Sequence, residues 1–343
     1  MAASFGKNVK VTVFGQSHSE AIGCVVDGIP AGLTLDMAAI ETHMKRRAPG
    51  KANSQATGNT ITARTETDQP HVVSGVLDGV TCGAPICAII ENNDQRSKDY
   101  SQFKACPRPS HADYPAFLKY GREYHDIRGG GQFSGRMTAP LCFAGAVCMQ
   151  YLAQFGIFVT AKLVRVGGET DPAKFDDVIA AAAAQGDSVG GVIACTAYGF
   201  PGGIGDPIYD ALESRLSAVL FAVPAVKGVE FGDGFALADA YGSQVNDLYT
   251  TDEAGRVVTK TNHNGGILGG ISTGMPIMLR VAFKPTPSIA KPQATLNLQQ
   301  QCEVEQVIGG RHDPCVAVRA VPVVESAVAC VLADYMVEYQ GEK

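Results

Sequence analysis

Several features that would sort a protein quickly are missing from this sequence. Tryptophan is absent, which decides nothing by itself. None of the ten cysteines forms a Cys-x-x-Cys pair, and a disulfide framework is not expected at this length. No apolar run reaches the roughly 18 residues of a membrane span. Met1 to Lys10 holds no apolar core of an export signal, so the expected compartment is the cytoplasm. There Cys24, Cys148, Cys195 and Cys330, all in apolar runs, read as reduced core thiols. A net charge of −6 leaves no general basic surface for nucleic acid or an anionic membrane. The Gly-x-x-x-x-Gly-Lys-Ser/Thr loop, the His-Glu-x-x-His motif and the EF-hand loop are all missing. The glycines of 265–274 do not link a strand to a helix in the dinucleotide manner. No repeat, low-complexity tract or linker appears, so residues 1–343 are read as a single domain.

What is present is a globular composition, 45% apolar and 18% charged. Alternation predicts strands at 9–14 and 24–29, with a polar turn at 15–20 between them. Thr34 and Asp36 are cap candidates for a helix to Arg47, which Pro49-Gly50 stops. Strands are expected at 59–64, 71–77, 86–90, 157–166, 190–198, 226–231 and 277–283. Residues 94–100 and 242–274 read as loops, the latter long enough to suggest function. Helices are expected from a Thr138 cap with Pro140 in the first turn, at 172–185, from an Asp206 cap to Val223, and at 322–339. The Thr138 helix is apolar on most faces, hence buried. Hairpin-like pairs beside long helices indicate an α+β fold.

The stretch Arg108 to Arg136 concentrates chemistry. It holds Arg108-Pro-Ser-His111-Ala-Asp113-Tyr114 and Asp126-Ile-Arg128-Gly-Gly-Gly131-Gln-Phe-Ser134-Gly-Arg136. Three consecutive glycines cost backbone entropy and suit a sharp bend or close approach of a ligand. Guanidinium forks on either side match phosphate and carboxylate oxygens. Any one of these residues alone would read as a polar surface turn; the cluster reads as an anion site. Three further clusters resemble it: Gly15-Gln-Ser17-His18-Ser-Glu20; the run 261–270 with Lys284-Pro-Thr-Pro-Ser288; and Gly309-Gly-Arg311-His312-Asp313-Pro314 with Arg319. His18, His111 and His312 lie in such turns, where imidazole can act as acid or base. The His-Asp pairs at 111/113, 125/126 and 312/313 could ligate a metal. Arginines beside each pair oppose a cation, so no metal is expected.

These motifs make the chain similar to the chorismate synthase family over nearly its whole length. The family's Arg-Pro-Gly-His-Ala-Asp-Tyr corresponds to 108–114, and its Arg-Gly-Gly-Gly-Arg-Ser-Ser-Ala-Arg to 128–136. Asp94-Gln-Arg-Ser-Lys-Asp-Tyr100, Gly265-Gly-Ile-Leu-Gly-Gly-Ile271, Lys284-Pro-Thr-Pro-Ser288 and Arg311-His-Asp-Pro-Cys315 match as they stand. The resemblance implies long helices packed between two antiparallel sheets, assembled as a homotetramer. It implies a 1,4-anti elimination of phosphate from 5-enolpyruvylshikimate-3-phosphate, dependent on reduced FMN. By the same resemblance Arg47, Arg108, Arg128, Arg136 and Arg319 would bind the phosphate and two carboxylates of the substrate. His18 would protonate departing phosphate, and His111 would sit by the flavin and stabilise its reduced form. Asp313 would help take up the proton lost at C6, at the flavin N5 edge, while Ser17 supplies a hydrogen bond. Ser134, Ala225, Gly269, Lys284, Pro285, Thr286, Pro287, Ser288 and Arg311 would hold FMN. The flavin is expected to bind more tightly with substrate present.

The chain departs from the family pattern at Gln16, Ala48, Asn53 and Gln132, where a carboxylate and three arginines are usual. Lys45, Lys51 and Lys98 are nearby cations that could compensate. With Asn53 and no extra segment, reduction by an external flavin reductase is expected, with NADPH at most an indirect reductant. Two other readings stay open at this point: a flavin-binding protein without elimination activity, and a His/Asp metal-dependent hydrolase.

Overall fold

The computed structural model describes residues 3–48, 68–93, 97–309 and 313–341. Alternation in the first strands is realised as Lys10–Gly15 and Ala21–Asp27, antiparallel, with Val11 opposite Val26 and Val13 opposite Cys24. Ser4–Phe5 flanks them on one side, Ile86–Glu91 and then His71–Ser74 on the other, completing a five-stranded antiparallel sheet. Ile22, Cys24 and Val26, with Ile86, Ala88 and Ile90, are buried at every second position and face the helices. A second antiparallel sheet runs Val226–Phe231, Ile277–Phe283, Gly191–Tyr198, Phe158–Val166.

The helices are α1 (Met37–Arg47), α2 (Asp113–Tyr120), α3 (Thr138–Ala153), α4 (Phe175–Ala184), α5 (Leu212–Ala222), the single turn α6 (Gly242–Val245) and α7 (Val316–Gly341). α3 packs on the first sheet, α7 on the second, and the two pack on each other, so the expected order of sheet, helices, sheet is the one observed. Residues 138–148 of α3 are all buried, which is why its sequence shows no polar face. A Cβ on Gly145 would lie 2.2 Å from Ser326 Cβ; its absence lets α3 and α7 close together. α7 is long and apolar enough to cross a membrane by length and composition, yet most of it is core. Its Asp334 carboxylate accepts from the backbone N–H of Lys7 (2.9 Å), Asn8 (2.6 Å) and Val9 (2.8 Å), fastening the first sheet's entry strand to the last helix.

Several boundaries differ from expectation. α7 begins at Val316 rather than at Pro322, with the proline inside the helix. An interior proline costs about 3 kcal/mol, but each large apolar side chain buried along 323–336 returns roughly 1.5–3 kcal/mol. Asp206 caps nothing: Ile208 takes a left-handed φ of +67°, and α5 starts at Leu212, whose N–H donates to the Gly270 carbonyl. Thr138 is the first residue of α3 rather than its cap. Ser97–Lys104 is a run of 3-10 turns rather than a loop. Within 242–274 lie α6 and two small hairpins, Tyr249–Thr251 with Val257–Thr259 and Ile267–Leu268 with Ile271–Ser272. A hairpin of Gln293–Asn297 with Cys302–Gln306 was not foreseen. The strand expected at 59–64 and the Pro49-Gly50 stop lie outside the described residues.

All ten cysteines are free thiols. Cys24, Cys142, Cys148, Cys195, Cys315 and Cys330 are buried, while Cys82 and Cys302 are exposed. Burial pushes the thiols of Cys24 and Cys195 well up, and that of Cys142 to about 11.

Candidate active site

The triple glycine brings the distant turns together. Gly129, Gly130 and Gly131 all have left-handed φ, +59°, +85° and +55°, a succession that only glycine adopts cheaply. A Cβ on Gly129 would fall 2.5 Å from Ser17 Oγ and 2.7 Å from His18 Nε2. One on Gly130 would fall 3.5 Å from His111 Nε2. The bare backbone therefore separates the two histidines, His18 on one side and His111 on the other. Ser17 N–H donates to the Gly131 carbonyl (3.1 Å), locking the 15–20 turn to this loop. His18 is buried, with its ring edge-on to Tyr100 at 5.3 Å. Ser17 Oγ is buried with no hydrogen-bond partner among the described residues, and neither Ser17 nor His18 lines the cavity that His111 faces.

His111 is held from behind. Its Nδ1 lies 2.7 Å from Asp113 Oδ1 and 3.1 Å from the Arg108 guanidinium. Burial works against the charged form of Asp113, but hydrogen bonds from Arg108 and His111 overcome it and hold the carboxyl well below its ordinary range. An ionised Asp113 draws the ring hydrogen to Nδ1 and leaves Nε2 as the reactive nitrogen. Burial lowers the His111 pKa; Asp113 opposes this in part, and Arg108 adds to the lowering.

Gly129, His111 and Ser134 line a cavity of about 580 Å³, within the ~300–1,000 Å³ typical of small-molecule sites. Arg47, Arg108, Arg136 and Arg319 line it too, joined by Lys227 and Lys284. Arg47 arrives on the last turn of α1. Its guanidinium donates to Thr138 Oγ1 (3.1 Å), the Gly135 carbonyl (3.0 Å) and Asp68 (2.5 Å). Arg136 binds the other oxygen of Asp68 and the Asn92 side chain (2.9 Å). Arg108 makes a two-point pair with Asp113 and reaches Ser288 (3.3 Å). Arg319, one turn into α7, donates to Asp313 (2.6 Å) and to the Arg47 carbonyl (2.9 Å). Six cations against the carboxylates of Asp68, Asp113 and Asp313 leave the site positive inside an acidic protein. Val223, Pro224, Val226, Val316 and Val323 add apolar lining. Among them Ala225 holds a left-handed φ of +74°, an uncommon placement for a residue with a side chain.

The structure does not gather every expected residue. Arg128 is outside the cavity: Asp126, two residues earlier, captures it through two bonds (2.7 and 2.9 Å), and its side chain is half-exposed. Gly269 is exposed at the tip of the Ile267–Ser272 hairpin, away from the cavity. Pro285 faces a smaller groove of about 250 Å³ with Pro109 and Ser188, whereas Lys284, Thr286, Pro287, Ser288, Ser134, Ala225 and Asp313 line the main cavity. Arg311, His312 and Asn53 lie outside the described residues. Asp113 and Asp126 are engaged by Arg108 and Arg128, and His125 packs among Phe117, Tyr120 and Phe133. Among the described residues, no three His, Cys, Asp or Glu side chains converge on a metal position. Asp68, Asn92, Tyr100, Thr138 and Lys227 were not anticipated at the site. Tyr100 closes the 94–100 motif, which could have flagged it; the other four sit in no motif, and only the folded chain brings them there.

A family model described as chorismate synthase matches residues 9–337. The chain belongs to the chorismate synthase family. The chorismate synthase of Korarchaeum cryptofilum is 43% identical over 356 residues, covering 97% of this chain and 96% of that protein. That of Methanothermobacter thermautotrophicus is 43% identical over 358 residues, covering 97% and 94%. A crystal structure of a chorismate synthase superposes with a TM-score of 0.75 at 26% identity, over 98% of this chain and 94% of that one. The chain is therefore a lyase of the last shikimate-pathway step, making chorismate from a small anionic substrate, in a family that uses reduced flavin. For a chorismate synthase the positive cavity is chemically apt, since the substrate bears a phosphate and two carboxylates.

Proposed function

We propose that the 580 Å³ cavity binds 5-enolpyruvylshikimate-3-phosphate and reduced FMN together and that this chain's side chains run the elimination there. The observation that carries the reading is one cavity with four arginines on it, His111 on its wall and His18 behind its glycine lining. The lining fits the flavin: apolar side chains for a planar ring, with Ser134, Lys284, Thr286 and Ser288 as polar partners on the same cavity. When bound, reduced FMN supplies an electron-rich ring beside the substrate. Arg47, Arg108, Arg136 and Arg319 orient the phosphate and carboxylates and offset their charge. His18 delivers a proton to the departing phosphate; a phosphate dianion beside an imidazole favours its protonated form. His111 offers Nε2 to the cavity, with Asp113 holding the opposite nitrogen. Asp313, tied to Arg319, assists removal of the C6 proton.

External flavin reduction, a cytoplasmic location and a homotetramer complete the proposal. Large exposed apolar side chains, among them Tyr209, Phe235, Tyr241 and Tyr249, support self-association. The test is anaerobic single-turnover phosphate release with prereduced FMN for wild type, His18→Ala and His111→Ala. Both variants are expected to stay folded by circular dichroism and to release phosphate roughly 10²–10⁴-fold more slowly. Folded variants that release it at the wild-type rate would remove both histidines from the mechanism.

A further inference from the structure

Asp68 has no part in the chemistry above, yet its setting is unusual. It is 3% exposed and holds a left-handed φ of +48°. Such a placement persists where the surroundings over-determine it. One carboxylate oxygen accepts from Arg47 Nη1 at 2.5 Å and the other from Arg136 Nη1. Both arginines line the cavity and Asp68 does not, so the carboxylate stands behind the pair. The two guanidinium groups come from unrelated elements, the end of α1 and the turn before α3. Two buried cations facing one space repel each other unless an anion lies between them. Two further donors of each arginine grip fixed partners, Thr138 and the Gly135 carbonyl for one and Asn92 and the Glu91 carbonyl for the other.

We propose that Asp68 is a positioning residue that sets the spacing and direction of Arg47 and Arg136 for one anionic group of the substrate. The inference rests on the reading that these arginines bind substrate. A carboxylate fork presents both guanidinium groups ready-made, so less ordering is lost on binding. Asparagine has the same shape but offers one acceptor and one donor, which sets a donor against one of the arginines.

The experiment is anaerobic steady-state kinetics with the enolpyruvyl phosphate substrate and saturating prereduced FMN, on Asp68→Asn, Arg47→Gln and Arg136→Gln. The arginine variants are expected to raise KM at least tenfold. Asp68→Asn is expected to raise KM about tenfold, the loss of one charge-assisted bond, with kcat within about threefold of wild type. A purely structural part for Asp68 would instead lower the folded fraction, so that kcat falls and KM stays; that outcome overturns the proposal. So does an unchanged or lower KM in Asp68→Asn when the arginine variants raise it, since Asp68 would then only be neutralising the arginines. If Arg47→Gln and Arg136→Gln leave KM alone, the substrate-site reading fails and this inference with it. Should Asp68→Asn not fold, Asp68→Glu, which keeps the charge but moves it by one methylene, is measured against the same outcomes.

Discussion

At Gly129 the missing side chain is what the site is built on. A methyl group there would meet Ser17 Oγ and both Cδ2 and Nε2 of His18 at under 3 Å, on a backbone with φ +59°. Gly129→Ala is expected to remain folded and to lose turnover by ~10²-fold, the scale of a misplacement near 1 Å. Gly242→Ala is the control, because a Cβ there meets nothing within 4 Å and the residue does not line the cavity; near-normal turnover is expected, and equal losses in both variants would refute the argument. His111 gives a second test at this scale. Asp113 accepts its Nδ1–H and favours its charged form. Asp113→Asn removes that support while burial and Arg108 remain, so the imidazole titration followed by NMR is expected to move to lower pH. An upward move, or none, would mean that Asp113 does not set the protonation of His111.

At the scale of elements, α1 and α7 meet through ionisable groups that the mechanism does not use. Ser326 Oγ donates its hydrogen to the Pro322 carbonyl (2.7 Å) and so accepts from His43 Nε2 (2.8 Å), while Arg46 forks onto Glu325 (2.6 and 3.0 Å). Burial lowers the His43 pKa to about 4, Glu325 opposing and Arg46 adding to the effect. The unfolded chain takes up a proton near pH 6.5 that the folded chain refuses until about pH 4. Stability from this contact is therefore intact above pH 6.5 and lost as pH falls toward 4, by about 3 kcal/mol. Denaturant titrations between pH 4.5 and 7 are expected to show a shallower pH slope for His43→Gln than for wild type; equal slopes would exclude His43 as the source. The elements themselves were largely legible. Long periodic or uniformly apolar runs such as 138–153 and 277–283 leave few alternatives. The misreadings have tertiary causes. Pro322 enters a helix because the buried face outweighs the proline, and Asp206 fails as a cap because Gly270 supplies the partner for Leu212.

For the whole molecule, the lining of the candidate cavity was legible where its residues are neighbours in sequence, as at 110–112 and 132–136. It was not legible where one carboxylate joins two remote arginines. Arg128 stands apart from the lining for a related reason, since a local competitor, Asp126, holds its guanidinium. The layering also decides where the molecule can be attacked. Six thiols lie in or against the helix core and two stand in solvent. Only the thiolate is nucleophilic, and burial suppresses it. The protein thus carries an internal clock. Under native alkylation with mass detection, Cys82 and Cys302 are expected to tick first, with half-buried Cys87 and Cys106 behind them. The six buried thiols are expected to record only moments when the helix layers part, and substrate, by binding the closed form alone, to slow those late marks without changing the early ones.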